Sequence, residues 1–249
     1  MDFVWFHKLG VPRHFYRLAL RLSPWFAALA AVLFAAGLWQ GLFVAPPDYQ
    51  QGESYRIMFV HVPSAWMSMF TWVFMAAMAV VVLVWRIKVP ESMMRAAAPL
   101  GATFTFLALA TGSLWGKPMW GTYWQWDARL TSELILLFLY LGFIALQAAI
   151  EDRRAAARAG AILALVGLIN IPIIHYSVEW WNTLHQGPTV TKFDQPSITW
   201  EMGRPLLLMA LAFKAYFVAV LLVRTRCDIL EAETGSAWVG ELATGERTR

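Results

Sequence analysis

Six runs of about twenty residues, nearly free of charge, alternate along this chain with shorter polar or basic connections: Trp25–Val44, Pro63–Trp85, Ala96–Trp115, Leu134–Ile150, Ala159–Val178 and Pro205–Val223. A helix needs about 20 apolar residues to cross about 30 Å of hydrocarbon, so each run predicts a membrane-spanning helix. None shows the period-two alternation of a membrane barrel. The first run follows a basic segment but is too long for a signal-peptide core, and reads as an uncleaved span. The last carries one interior charge, Lys214, near its centre, where a charge is costly and is expected to meet a partner helix or buried carbonyls. The predicted fold class is all-α: a polytopic membrane protein with a bundle of six transmembrane helices, both termini on one side.

Composition agrees with that pattern and charge orients it. Of 249 residues 59% are hydrophobic and 14% charged, against about 45–50% and about 25% in soluble domains, with a mean hydropathy of +0.53. A soluble domain and a disordered chain are both excluded. The net charge of +4 would raise the question of nucleic acid, but the basic residues sort by topology. Lys8, Arg13, Arg17, Arg21, Arg86, Lys88, Arg95, Arg153, Arg154, Arg158, Arg224 and Arg226 fall on one side, and only Arg56, Lys117, Arg129, Lys192 and Arg204 on the other. Because cytoplasmic loops collect Lys and Arg, both termini are predicted to be cytoplasmic. Residues 1–24 form a cytoplasmic segment whose apolar and basic mixture suits an interfacial helix. Residues 25–223 form the six-helix domain and 224–249 a cytoplasmic tail, mobile from Glu231 onward. The lone Cys227 permits neither an internal disulfide nor a Cys-x-x-Cys motif.

The three outer connections, approximately Ala45–Val62, Gly116–Glu133 and Glu179–Arg204, are the longer and chemically richer ones. The chain holds 14 Trp. Trp25, Trp39, Trp72 and Trp85 suit an interfacial aromatic belt. That is a weak account of Trp115, Trp120, Trp124 and Trp126, crowded with Tyr123 around Gly116, Pro118 and Gly121 and ending at Asp127. Gly116, Trp120 and Trp124 recur at helical spacing, which predicts a short surface helix with one indole face. Such a face serves either belt packing or a large planar ligand. Trp180 and Trp181 stand in the third connection, followed by His185 just before the Gly187-Pro188 turn. His61 ends the first connection, with Pro63 in the first turn of span two. Either His alone reads as a hydrogen-bonded helix-end residue. Together, beside an aromatic shelf, they read as iron ligands, and a planar ligand carrying iron is haem.

The stretch Trp120-Gly121-Thr122-Tyr123-Trp124-Gln125-Trp126-Asp127 resembles the tryptophan-rich signature of the haem-handling proteins of cytochrome c maturation. With Ser177-Val178-Glu179-Trp180-Trp181-Asn182-Thr183-Leu184-His185-Gln186, the length and the six spans, the chain is similar to the haem exporter C (CcmC) family among them. The larger relatives have many more spans. The resemblance implies a protein of the bacterial inner membrane that holds haem b non-covalently, in transit, at the periplasmic face and passes it to the haem chaperone CcmE. It implies His61 and His185 as axial ligands and an assembly with CcmD and with CcmA and CcmB of the ATP-binding-cassette type. The chain itself has no glycine-rich phosphate loop and no hydrolase motif; any chemistry would be lyase-like transfer of haem to an acceptor.

On that reading Trp115, Trp120, Trp124 and Trp126, with Trp180 and Trp181, flank the porphyrin. Arg56 and Arg129 are the candidate propionate contacts, since guanidinium binds carboxylate bidentately, though a structural ion pair or a lipid phosphate suits either. Asp127 either orients the aromatic segment or a ligand His, or caps the helix of span four. His175, near the outer end of span five, reads as a helix-end residue. The rivals are an electron-carrying b-type cytochrome subunit, which buries His pairs between facing helices, a solute transporter, and a complete cytochrome c synthase, for which the chain is short.

Overall fold

The computed structural model describes residues 10–181, 183–185 and 198–244. Among them, six helical stretches are long and apolar enough to cross a membrane, and no strand is present beyond an isolated bridge between Asp48 and Gly52. The chain is an all-α polytopic membrane protein. Its helices are α1 (Pro12–Trp39), α2 (Met58–Trp85), α3 (Lys88–Trp120), α4 (Ala128–Ala149), α5 (Arg153–Gly167), α6 (Asn170–Trp180), α7 (Trp200–Ala232) and α8 (Ala237–Thr244). The six runs all hold as spans, but the helices overrun them. Charged residues at a span's end sit at headgroup level, where a helix continues at no penalty. Thus α1 begins at Pro12, inside the segment expected to lie on the surface, and α3 continues through Lys117 to Trp120. The fifth span breaks at Leu168 and Ile169, where Pro172 leaves the Leu168 carbonyl without its helical donor, and resumes as α6.

The bundle is centred on α2 and α3, with α7 and then α1 on one side and α4, α5 and α6 on the other. Small residues set the close approaches, the usual device where lipid offers no hydrophobic drive between helices. A Cβ on Gly101 of α3 would lie 2.1 Å from the Tyr140 ring of α4, one on Gly167 2.5 Å from Trp72, and one on Gly37 2.8 Å from the Met209 sulfur. Trp72, placed above among belt residues, is instead fully buried in the core. Its indole N–H donates to the Ala164 carbonyl at 3.1 Å and its ring meets Tyr140 edge-on, centroids 4.8 Å apart. A Trp near mid-span with a carbonyl in reach has no reason to seek the interface. Trp25, Trp39 and Trp85, more than half exposed, keep the belt reading.

Gly101→Ala is expected to destabilise the protein by about 1–3 kcal/mol, because Tyr140 is also fixed by its hydroxyl to the Ser68 carbonyl and cannot retreat. A lowered thermal midpoint of the detergent-solubilised protein, with Gly142→Ala not lowered as control, checks this; nothing lies within 4 Å of a Cβ at Gly142, where Ala is the better helix former.

At the end away from the two His, the segment expected to be mobile contains α8. Trp238 packs on Tyr16 with ring centroids 5.7 Å apart, and Arg13 pairs with Glu241 at 2.9 Å. Trp238, packed on the cluster of Phe15, Val89 and Ile229, gives this short helix something to bury, which a count of polar residues concealed. Lys214 lies exposed on the flank of α7.

Candidate haem-binding site

The first connection is shaped by one turn. Asp48 Oδ1 accepts from the Gln50 and Gln51 amides at 2.9 and 2.8 Å, Gly52 takes a left-handed φ of 57°, and Tyr55 ties back to the Pro46 carbonyl at 2.7 Å. An Asx-type turn of this kind is what Asp in a polar loop favours. The chain then enters a tight helical turn, Glu53–Ile57, and runs directly into α2. His61 therefore sits on α2, not in the connection before it, and Pro63 lies one turn further in than expected. The preceding turn supplies the helix start that Pro63 seemed to mark.

His61 is seated against α3. Its Nδ1–H donates to the Ala108 carbonyl at 3.0 Å and lies 3.1 Å from the Thr111 hydroxyl, whose own proton goes to the Leu107 carbonyl at 2.5 Å. Gly112 makes the seat possible: a Cβ there would be 2.9 Å from the imidazole Cε1. With Nδ1 protonated, Nε2 carries the free lone pair.

His185 is held by a carboxylate. Asp127 accepts the Leu130 amide on Oδ1 at 2.8 Å, which caps α4. On Oδ2 it accepts His185 Nδ1–H at 2.9 Å and the Thr183 hydroxyl proton. Thr183 Oγ1 in turn accepts the His185 amide at 3.1 Å. The two roles weighed for Asp127, cap and His orienter, are thus both filled, one by each oxygen. Burial alone would raise the Asp127 carboxyl, but the bonds from Thr183, Leu130 and His185 outweigh it and hold the group below its ordinary value. Burial is the leading influence on His185 and leaves it below 6.5 despite the opposing pull of Asp127. The imidazole is neutral at pH 7 with Nδ1–H donated, so Nε2 is again the unprotonated nitrogen. The two imidazoles are close enough for a charge on one to be felt by the other.

The end of α3 spans the two. Trp115 meets His61 edge-on with centroids 5.6 Å apart, and Trp120 meets His185 at 4.6 Å. Trp115 is pinned by its indole N–H to Gln51 of the turn described above, at 2.9 Å. Trp120 folds back over Gly116, where a Cβ would stand 2.9 Å from the indole. The expected short helix through Trp124 does not form. Gly121, at φ 76°, closes α3 with its amide on the Lys117 carbonyl, and Lys117 returns its ammonium to the Gly121 carbonyl at 3.0 Å. Trp124 and Trp126 follow in irregular chain that turns tightly at Trp126, the Asp127 amide donating to the Gln125 carbonyl at 2.8 Å, and form a pair of crossed rings 5.3 Å apart, with the Trp124 indole N–H buried and without a hydrogen-bond partner among the described residues.

Not every candidate joins this cluster. Trp180 stacks on Tyr176 at 5.4 Å and touches Trp181 at 5.8 Å; among the described residues no ring contact links either to His61 or His185. Arg56 spends its guanidinium on Glu53 and on the Gly41 and Ala45 carbonyls at the end of the first span. The Arg129 guanidinium makes no hydrogen bond or ion pair among the described residues and stands within electrostatic reach of His61, His185, Asp127 and Glu133. His175 is exposed beside Tyr176. Gly187, Pro188 and Lys192 lie outside the described residues. Sequence reasoning missed Gln51, Thr111, Thr183 and Glu133, although Thr183 precedes His185 by two residues and Glu133 follows Arg129 by one helical turn.

Two neutral imidazoles offering Nε2, indole edges, and an indole N–H and a guanidinium with no partner among the described residues suit a planar, anionic, metal-bearing ligand. A sequence model of the family described as Heme exporter protein C matches residues 5–240. The chain is 52% identical over 239 residues to Heme exporter protein C of Haemophilus influenzae, covering 96% of this chain and 97% of that one. It is 50% identical over 248 residues to the protein of that name from Bradyrhizobium diazoefficiens (96% and 94% covered) and 51% over 236 residues to that of Escherichia coli K12 (95% of each). With matches of this extent and identity across both histidines and the tryptophan-rich segment, the chain belongs to the haem exporter protein C (CcmC) family.

Proposed function

We propose that this protein carries haem b, bound without covalent attachment, at the periplasmic face of the bacterial inner membrane and passes it to the chaperone CcmE, as a component of haem export for cytochrome c maturation working with CcmA, CcmB and CcmD. The observation that supports this most directly is the matched preparation of His61 and His185. Each has Nδ1 committed as a donor and Nε2 free, the state an axial iron ligand needs. Both termini are cytoplasmic in this reading, by the distribution of Lys and Arg. Trp115 and Trp120 line the porphyrin beside the ligands, Trp124 and Trp126 extend that wall, and Arg129 takes a propionate. Arg56, already engaged, serves as a brace for the first connection. Trp180 and Trp181 lie on the rim, where an acceptor would approach. Lys214 is the contact for a neighbouring helix of the assembly.

Placing one ligand on a helix and the other on a connection favours handover over electron transfer, because the second can withdraw while the bundle stays folded. The test is an absorption spectrum of the purified protein loaded with haem, before and after apo-CcmE is added and the two are separated. Haem is expected to move to CcmE, with loss of the bis-imidazole spectrum from this protein. Haem that stays while the protein oxidises quinol would instead make it a b-type cytochrome.

A further inference from the structure

Beneath the site lies a carboxyl group that haem ligation does not use. Glu133 is 7% exposed, one helical turn below Arg129 on α4. Its hydrogen bond is to Ser68 of α2, Oγ to Oε1 at 2.7 Å. Ser68 stands seven residues, about two turns and about 10 Å, below His61 on the same face of α2. The charged and titratable groups facing Glu133 are Arg129 and Tyr140, both of its own helix. From the helices packed against it, α2 presents Ser68, and α6 presents Asn170, whose amide is given to the Ser132 carbonyl at 2.9 Å. Tyr140 donates its proton to the Ser68 carbonyl at 2.7 Å, away from Glu133.

Counting protons around Ser68 shows that Glu133 has two workable states. The Ser68 hydroxyl lies 2.8 Å from the Ala65 carbonyl and 2.7 Å from Glu133 Oε1, and it has one proton to give. If that proton goes to Glu133, the carboxyl group is an acceptor and can be ionised, with Arg129, one helical turn away, as its counter-charge. If it goes to Ala65, Glu133 must itself be the donor, and so carries a proton. The same hydrogen-bond geometry serves both. Arg129 cannot serve both: an ionised carboxylate this deeply buried needs the guanidinium, and so does an incoming anion.

We propose that Glu133 is a proton-uptake site coupled to the binding of an anionic porphyrin: when a porphyrin carboxylate pairs with Arg129, Glu133 takes one proton from solvent, and it returns that proton when the porphyrin leaves. No electron is exchanged, and the only bond formed or broken at Glu133 is the carboxyl O–H. This rests on the reading of porphyrin as the cargo but not on iron ligation, so two probes separate them: haem, and iron-free protoporphyrin with the same two propionates.

The experiment is calorimetric titration of the full chain with each probe in buffers of different ionisation enthalpy, across a range of pH. For the native protein the expected result is uptake of one proton per porphyrin, with affinity falling about tenfold per pH unit wherever Glu133 is ionised beforehand. Glu133→Gln should bind both probes with no proton from this site and a flat pH profile there. Ser68→Ala should keep the proton count and move the pH midpoint, which a merely structural Glu133 would not do. A carboxylic-acid carbonyl band in the infrared difference spectrum, loaded minus free, should be present in the native protein and absent from Glu133→Gln. Equal proton uptake in the native protein and Glu133→Gln, or none in the native protein, overturns the proposal. If protoporphyrin shows the uptake while haem gives no bis-imidazole spectrum, the ligand assignment fails and the proton site stands. If haem gives that spectrum without uptake, the reverse holds.

Discussion

His61→Ala and His185→Ala should each abolish the six-coordinate, low-spin spectrum of bound haem and leave a five-coordinate, high-spin one, and the double variant should retain little haem after purification. The two differ in how they fail. Removing His61 empties a seat walled by Gly112, Thr111 and Ala108 on a helix that stays in place. Added imidazole can fill that seat and should restore the low-spin bands. Removing His185 leaves Asp127 and the Thr183 hydroxyl still bonded to each other, with no walled cavity, so rescue should need much more imidazole. Low-spin spectra in both single variants, without imidazole, would show that neither residue ligates iron.

The second large effect is expected from a change of one atom type. Asp127→Asn can keep the cap on α4 only by pointing its oxygen at the Leu130 amide, which turns its NH2 toward Thr183 and His185. A donor then faces the His185 Nδ1–H, and the imidazole moves its proton to Nε2 so that Nδ1 can accept. Nε2 is thereby lost to iron. The variant should melt like the native protein but lose about 10–100-fold in haem affinity, the usual scale for partners that orient a ligand, and its spectrum should match that of His185→Ala. Asp127→Ala should add a loss of about 0.5–2 kcal/mol from the missing cap. A native spectrum in Asp127→Asn would mean that His185 chooses its tautomer without Asp127.

The spans, the crowding of Trp at one end and the pair of His were legible in the sequence because each is a matter of composition or short-range spacing. What stayed hidden depends on contacts between distant segments. Nothing near Trp72 in sequence announces the Ala164 carbonyl that receives its N–H, so it read as a belt residue. Asp127 and His185 are joined across 58 positions, a separation no local pattern can signal. The helix expected across Trp120 and Trp124 failed for a local reason that was visible: Gly121 tolerates the left-handed turn that ends α3, and spacing on a helical wheel was weighed above it. Arg56 and Arg129 look alike in the sequence. Only the folded first connection, with carbonyls converging on Arg56, separates the brace from Arg129, whose guanidinium has no partner among the described residues.

The two proposed ligand seats belong to parts of the molecule with very different costs of opening. His61 is partly buried and seated on α2 against α3, and displacing it means moving helices of the core. His185 is held by three hydrogen bonds around one carboxylate, an opening of a few residues with a correspondingly smaller free energy. On the proposed ligation, the residence time of a bound molecule should follow that small event and be independent of the stability of the bundle. Substitutions that stiffen the helical core should lengthen the life of the protein without slowing its turnover, whereas those around Thr183 should change turnover and leave the melting temperature where it was.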